Sequence, residues 1–242
     1  MLTSAQIKSI RGLAQKKERE AAGLFVVEGE KLVAEALRSG WSVEAVYRVE
    51  EIGEKAMERI SLLSSPSPAL ALVRIPESIR TAPEPAPGLY LALDGIRDPG
   101  NLGTILRIAD WFGIDAVFAS PDTVDLFNPK VVQATMGAVF RVRFHSVDIP
   151  ALCRRTLNAG GRVYGTFLDG ENLYGKPLFC GTDAPSVIVI GNEANGISEA
   201  TAAVVSDRLY IPPFPPDDPG SESLNAAVAT AVTGAEFRRR QV

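Results

Sequence analysis

LYLALDGIRDPGNLGTILRIADWFGIDAVFAS, residues 89–120, contains a strand, a loop, a helix and a second strand in direct succession. LYLALD is a short apolar run that stops at Asp94-Gly95, as a buried strand does. Leu102, Ile105, Leu106, Ala109 and Phe112 then recur at helical spacing. DAVFAS resumes the apolar run, so the stretch reads as one βαβ unit. The pattern continues downstream. PKVVQATMGAV (129–139) reads as a helix opening at Pro129, RVRFHS (141–146) as a strand and ALCRRTLNAG (151–160) as a helix ending at Gly160. RVYGTF (162–167), SVIVIG (186–191) and DRLYIP (207–212) read as strands. Leu224, Ala227, Val228, Ala231 and Ala235 mark a C-terminal helix. Near-continuous apolar strands alternating with helices predict an α/β fold, a mostly parallel sheet covered on both faces.

Upstream, TAPEPAPG (81–88) places three prolines at alternate positions before a glycine, which neither a helix nor a central strand accepts. This predicts three parts: an N-terminal domain over 1–80, a linker over 81–88 and a larger domain over 89–242. The first part reads as a small α/β unit. Thr3 and Gln6 suit a capping box ahead of a helix. LFVVEG (24–29), VEAVYRV (43–49) and ALALVRI (69–75) suit strands, and EKLVAEALRSG (30–40) and IGEKAMERISLL (52–63) suit helices. Lys8, Arg11, Gln15 and Arg19 would share one face of the first helix, with Lys16 and Lys17 close by.

The chain has 242 residues, 46% of them hydrophobic and 22% charged, which is enough for a real core and excludes broad disorder. No apolar run reaches the ~18 residues of a membrane span. The polar start, MLTSAQIKSIRGLAQKKERE, lacks a secretory signal core, so a cytoplasmic location is expected. Two cysteines, Cys153 and Cys180, and a single His145 predict neither a disulfide framework nor a metal site. The net charge of −4 argues against wrapping nucleic acid nonspecifically, but phosphate contact needs only a local basic stripe. Residues 1–85 are neutral overall, and the whole deficit lies in 86–242.

Three strand-to-loop junctions concentrate polar residues. They are LDGIRDPGNLGTILRIADWFG (93–113), VIVIGNEANGIS (187–198) and IPPFPPDDPGSESLNAAVATAV (211–232). Each alone has ordinary turn composition; their coincidence at strand ends, where open α/β sheets bind ligands, favours function. No P-loop, no G-x-G-x-x-G and no G-x-S-x-G elbow is present, which disfavours NTPase, dinucleotide and serine-hydrolase chemistry.

The motifs DPGNLGTILRIADWFG, VIVIGNEANGIS and SESLNAAVATAV, in this order, resemble the three signatures of the SpoU family of RNA ribose 2′-O-methyltransferases, in the SPOUT superfamily. PKVVQATMGAVFRV resembles the segment between the first two. IKSIRGLAQKKEREAAGLFVVEGEKLVAEAL resembles the family's N-terminal substrate-binding extension, akin to an RNA-binding ribosomal protein. The resemblance implies a C-terminal trefoil knot, S-adenosylmethionine as methyl donor, structured RNA as substrate (ribosomal ahead of transfer RNA), a homodimer and no metal. It implies catalytic roles for Asn101, Arg107, Glu193 and Asn225, with Glu193 ordering its loop or pairing with Arg107. It places Thr166, Phe167, Gly191, Asn192, Ile211, Ser223 and Leu224 at the cofactor, and Lys8, Arg11, Lys16, Lys17 and Arg19 at RNA. The alternative is a non-catalytic RNA-binding protein on the same scaffold, against which the intact Asn101, Arg107, Glu193 and Asn225 speak.

Overall fold

The structure, a computed structural model, describes residues 2–215 and 222–241. It divides into two compact units.

The first unit runs to Glu77 and also takes in Asp125–Arg141. Its elements are α1 (Ser4–Gly12), α2 (Lys16–Ala22), β1 (Leu24–Glu28), α3 (Glu30–Arg38), β2 (Val43–Arg48), α4 (Val49–Ile52), α5 (Glu54–Ile60) and β3 (Ala69–Arg74). The strands form an antiparallel sheet in the order β1-β3-β2. Side chains alternate across it. Val26, Leu70 and Leu72 pack with Ile7, Ile10, Met57 and Ile60. Phe25, one residue along β1, instead joins a cluster with Trp41, Phe127 and Phe140. The sequence reading assigned Phe127 and Phe140 to the second domain. They pack with the first unit because these rings bury against Phe25 and Trp41, and aromatic burial of this size outweighs chain proximity.

The second unit holds Ser78–Val124 and Val142–Val242. It comprises β4 (Gly88–Asp94), α6 (Pro99–Trp111), β5 (Ala116–Ala119), β6 (Phe144–Ser146), α8 (Ile149–Asn158), β7 (Arg162–Asn172), β8 (Pro185–Gly191), α9 (Glu199–Ala202), β9 (Asp207–Tyr210) and α10 (Ala226–Arg239); α7 (Pro129–Ala134) belongs to the first unit. The six strands lie in the order β6-β5-β4-β8-β7-β9, all parallel. Tyr90, Ala92, Phe118, Val163, Val187 and Val189 face α8. The alternate residues face α6 and α10, with Tyr164 edge-on to Phe237 at 5.0 Å. Both faces are thus covered. No helix among the described residues is long and apolar enough to cross a membrane.

Three local readings are corrected. The helix expected over 129–139 stops at Ala134, where the buried Thr135 and then Met136, at φ +50°, turn the chain into a short 3₁₀ turn. The strand expected at 162–167 extends to Asn172, with Phe167–Gly170 bulging out of the ladder, since Thr166 and Glu171 both pair with Leu209. The basic N-terminal helix is two helices separated by a turn at Leu13–Gln15, so Lys8, Arg11, Gln15 and Arg19 do not share one helical face.

Candidate active site

Parallel strands carry their C-terminal ends to one edge of the sheet. Because β4, β8, β7 and β9 are successive neighbours, that edge gathers the three polar loops, which are far apart in sequence. The first loop ends in the N-terminus of α6. Asp98 caps that helix by accepting from the Asn101 N–H at 2.8 Å, and Pro99 sits where no donor is needed.

Asn101 then joins the other two loops. Its side-chain Nδ2 donates to Glu193 Oε1 at 2.5 Å, and its Oδ1 accepts from Asn225 Nδ2 at 2.9 Å. Asn225 Oδ1 in turn caps α10, accepting from Ala227 N at 2.9 Å and Val228 N at 3.3 Å. One residue from each motif therefore meets in a single hydrogen-bonded chain. Asn suits the central position because its amide donates and accepts at once. Glu193 is engaged by Asn101, so of its two expected roles the ordering of loops is the one realised.

Arg107 lies on α6 six residues beyond Asn101, about 9 Å along the axis. It is exposed, and among the described residues it has no hydrogen-bond or ion-pair partner. Its guanidinium is available to an external anion. The other end of α6 is fastened to α10: Arg238 Nε donates to Phe112 O at 2.7 Å, and its Nη2 donates to Gly113 O. With Asn101 and Asn225 joined at their starts, α6 and α10 run side by side in the same direction.

The residues expected at the cofactor fall along the same edge. Thr166 Oγ1 donates to Val189 O at 3.3 Å, and Phe167 carries the Arg208 guanidinium 3.5 Å above its ring. Ile211 follows β9 and is half-buried, and the exposed Ser223 and Leu224 precede α10. Ser223 and Leu224 make no hydrogen bond to any described residue, so their main-chain groups and the Leu224 side chain are open to a ligand. Gly191 and Asn192 play a different part from a direct side-chain contact. A Cβ at Gly191 would lie 2.3 Å from Gly196 C and Ile197 N, so the close approach is to its own loop. Asn192 Nδ2 donates to Gly95 O at 2.6 Å, while its Oδ1 accepts from Ala194 N and Asn195 N, which uses the side chain to shape and anchor the turn.

Sequence reasoning missed Asp94 and Ser198. The Asp94 carboxylate, 9% exposed at the end of β4, accepts from Ser198 N at 2.8 Å and Ser198 Oγ at 2.7 Å and ties the first loop to the second. A carboxylate directly after a buried apolar strand was the available signal. Cys153 takes no part: burial first, then the Asp94 charge, pushes its thiol up to about 12.

The N-terminal cations divide. Lys8, Arg11, Lys16 and Lys17 are exposed. Arg19 is 2% exposed, donates to Leu13 O at 2.7 Å and Ala14 O at 2.9 Å, and pairs with Asp125. It closes the turn between α1 and α2 and is withdrawn as an RNA contact.

Residues 88–234 match the model of the SpoU rRNA Methylase family, which is more than half of the chain. The chain belongs to the SpoU rRNA methylase family. Residues 4–71 match the MRM3-like substrate binding domain. The chain is 30% identical to the 23S rRNA (guanosine(2553)-2'-O)-methyltransferase RlmP of Bacillus subtilis, over 94% of this chain and 93% of that one. A putative RNA methyltransferase of the TrmH family from Porphyromonas gingivalis superposes with a TM-score of 0.86 at 39% identity, covering 99% of both chains. An AdoMet-bound rRNA methyltransferase from Sinorhizobium meliloti superposes with a TM-score of 0.85 at 30% identity, covering 100% of this SpoU chain and 97% of the other.

Proposed function

We propose that this chain transfers the methyl group of S-adenosylmethionine to a ribose 2′-hydroxyl of ribosomal RNA, with Arg107 at the reacting oxygen. The chain is an S-adenosylmethionine-dependent RNA 2′-O-methyltransferase, as its family and its AdoMet-bound relative support. The observation that carries the assignment of the site is the chain Glu193–Asn101–Asn225, which joins all three signature loops at one sheet edge.

S-adenosylmethionine supplies an electrophilic methyl carbon on a sulfonium. Thr166, Phe167, Ile211, Ser223 and Leu224 would hold it, on the open main-chain groups and apolar surface at the ends of β7 and β9 and before α10. Gly191 and Asn192 shape the turn beside it. The protein's task is to align the 2′-oxygen with that carbon and to stabilise charge as the hydroxyl releases its proton to solvent. A guanidinium offers N–H donors and no acceptor, so Arg107 acts through charge: it grips the adjacent phosphate and stabilises the developing alkoxide. Asn101, Glu193 and Asn225 fix the start of α6 and so the position of Arg107. Lys8, Arg11, Lys16 and Lys17 contribute phosphate contacts from the N-terminal unit, in keeping with its substrate-binding match.

A second copy covers the exposed face of α6 and α10. Trp111 on α6 is 84% exposed and Val228 on α10 47%, apolar side chains that a partner surface would bury. The expected assembly is a C₂ homodimer, in the cytoplasm, with the family's trefoil knot in the second unit. Calorimetric titration with S-adenosylmethionine tests the cofactor assignment, and light scattering tests the assembly. A chain that binds no S-adenosylmethionine, or is monomeric at micromolar concentration with full activity, contradicts the corresponding part.

A further inference from the structure

The loop that opens α6 is held from the neighbouring strand β5 by a residue that none of the signature motifs contains. Gly95, at φ +76°, is in the left-handed region that glycine tolerates. Both of its main-chain groups are taken by side chains of other strand ends. Its N–H donates to Ser120 Oγ at 2.8 Å, and its carbonyl accepts from Asn192 Nδ2 at 2.6 Å. Ser120 follows β5 and is 8% exposed. Its hydroxyl donates to Asp122 Oδ1 at 2.7 Å and lies 3.1 Å from Thr123 Oγ1. Asp122 Oδ2 faces Arg97 Nη2 at 3.7 Å, and Arg97 belongs to the same loop as Gly95. The result is a closed circuit: Gly95 to Ser120, Ser120 to Asp122, Asp122 to Arg97, and back along the loop.

Resting on the methyltransferase reading above, we propose that Ser120, oriented by Asp122, is a positioning residue for methyl transfer. Its hydroxyl makes no hydrogen bond to the residues assigned to the cofactor: its partners are Gly95, Asp122 and Thr123. Its hydroxyl can donate to only one acceptor, and Asp122 takes that proton, which leaves the Ser120 lone pairs to the Gly95 N–H. Gly95 is three residues before the helix cap Asp98, so its placement sets where α6 begins and where Asn101 and Arg107 lie. Loss of the Ser120 hydroxyl strands a buried N–H and releases one of the two clamps on Gly95. The other clamp, Asn192, remains, so the loop stays folded but less sharply placed. Small misplacements of this kind act on the chemical step rather than on binding.

The test uses the full-length chain with tritiated S-adenosylmethionine and ribosomal RNA extracted from cells lacking the gene. Ser120→Ala is expected to lower kcat about tenfold or more, an effect of sub-ångström displacement at the reacting centre. KM for S-adenosylmethionine and its calorimetric affinity should stay within about threefold, less than the tenfold that 1.4 kcal/mol represents. Ser120→Thr should recover most of the rate. Asp122→Ala, at an exposed position, should shift kcat in the same direction by less. Independently of turnover, amide hydrogen exchange of the unliganded protein should quicken at Gly95 and its neighbours in Ser120→Ala, with the strands unchanged. A kcat unaltered in both variants, exchange at Gly95 unaltered, or a loss of cofactor affinity equal to the loss of rate would overturn the proposal. A wild-type chain that binds S-adenosylmethionine but labels no RNA would defeat the substrate reading instead, with exchange at Gly95 still deciding for or against the Ser120 clamp.

Discussion

Arg19 and Arg107 carry the same charge, each on an α-helix, and end in opposite environments. Arg19 is 2% exposed, held by two carbonyls and by Asp125. Arg107 is exposed with no partner among the described residues. A helical face counted from sequence groups residues only while the helix continues, and the turn at Leu13–Gln15 ends that counting before Arg19. The strand-end loops need no such continuity. Parallel pairing brings their tips to one edge whatever their separation in sequence, and the Glu193–Asn101–Asn225 chain spans 124 positions.

The largest effect that would sharpen this contrast is at Arg107. Arg107→Ala should fold and bind S-adenosylmethionine normally, with single-turnover methyl transfer reduced at least about a hundredfold, the scale for removing one electrostatic stabiliser. Arg107→Lys should recover the rate only in part, since an ammonium lacks the planar two-pronged grip.

Arg19→Ala should act on stability instead. Breaking a buried pair costs about 3–5 kcal/mol, so the chemical-denaturation midpoint should fall clearly. Lys16→Gln with Lys17→Gln should leave that midpoint unchanged, weaken RNA binding and flatten its salt dependence, by close to one unit of log–log slope for each phosphate contact removed. A salt slope altered as much by Arg19→Ala in the folded protein as by the lysine pair would erase the distinction.

Gly191→Ala tests how the second loop is built. Its Cβ would meet the Gly196–Ile197 main chain, so the turn at 192–197 must shift, and S-adenosylmethionine affinity should fall at least about tenfold, or 1.4 kcal/mol. Unchanged affinity would mean that the cofactor does not rely on this turn.

The smallest effect concerns acid. Hydrogen bonds from Arg239 and then Arg240 hold the Glu236 carboxyl down at about 2. A carboxyl lowered on folding contributes stability that is present above its unfolded value, about 4.3. That contribution is lost as pH falls toward 2, so the stability of Glu236→Gln should depend less steeply on pH between these limits. An identical acid profile would show that the pair contributes nothing.

Most strands were legible as short apolar runs, several of them closed by Gly, Asp or Pro, although β7 runs past the Thr166-Phe167 stop that its apolar run suggested; α6 was legible because its stripe and its Asp98-Pro99 start agree. The order of the six strands was not legible, since nothing in a buried run names its neighbour. The destination of Asp125–Arg141 escaped for the same reason: Phe127 and Phe140 read as core, without saying whose core. At the site, Asn101, Glu193 and Asn225 were legible through resemblance to a family, whereas their hydrogen bonds were not, because Asn-Gly loops look alike whether they brace a site or simply turn. Ser120 and Asp94 were missed because Ser-Pro-Asp-Thr and Asp-Gly are ordinary turn compositions.

The most direct test of the account is a transcriptome-scale map of ribose 2′-O-methylation in ribosomal RNA from cells lacking the gene, complemented either with the wild-type chain or with Arg107→Ala. At least one ribosomal ribose should lose its methyl group in the deletion, regain it with the wild-type chain and stay bare with Arg107→Ala. Restoration of the mark by Arg107→Ala, or an unchanged ribosomal map in the deletion, would contradict it.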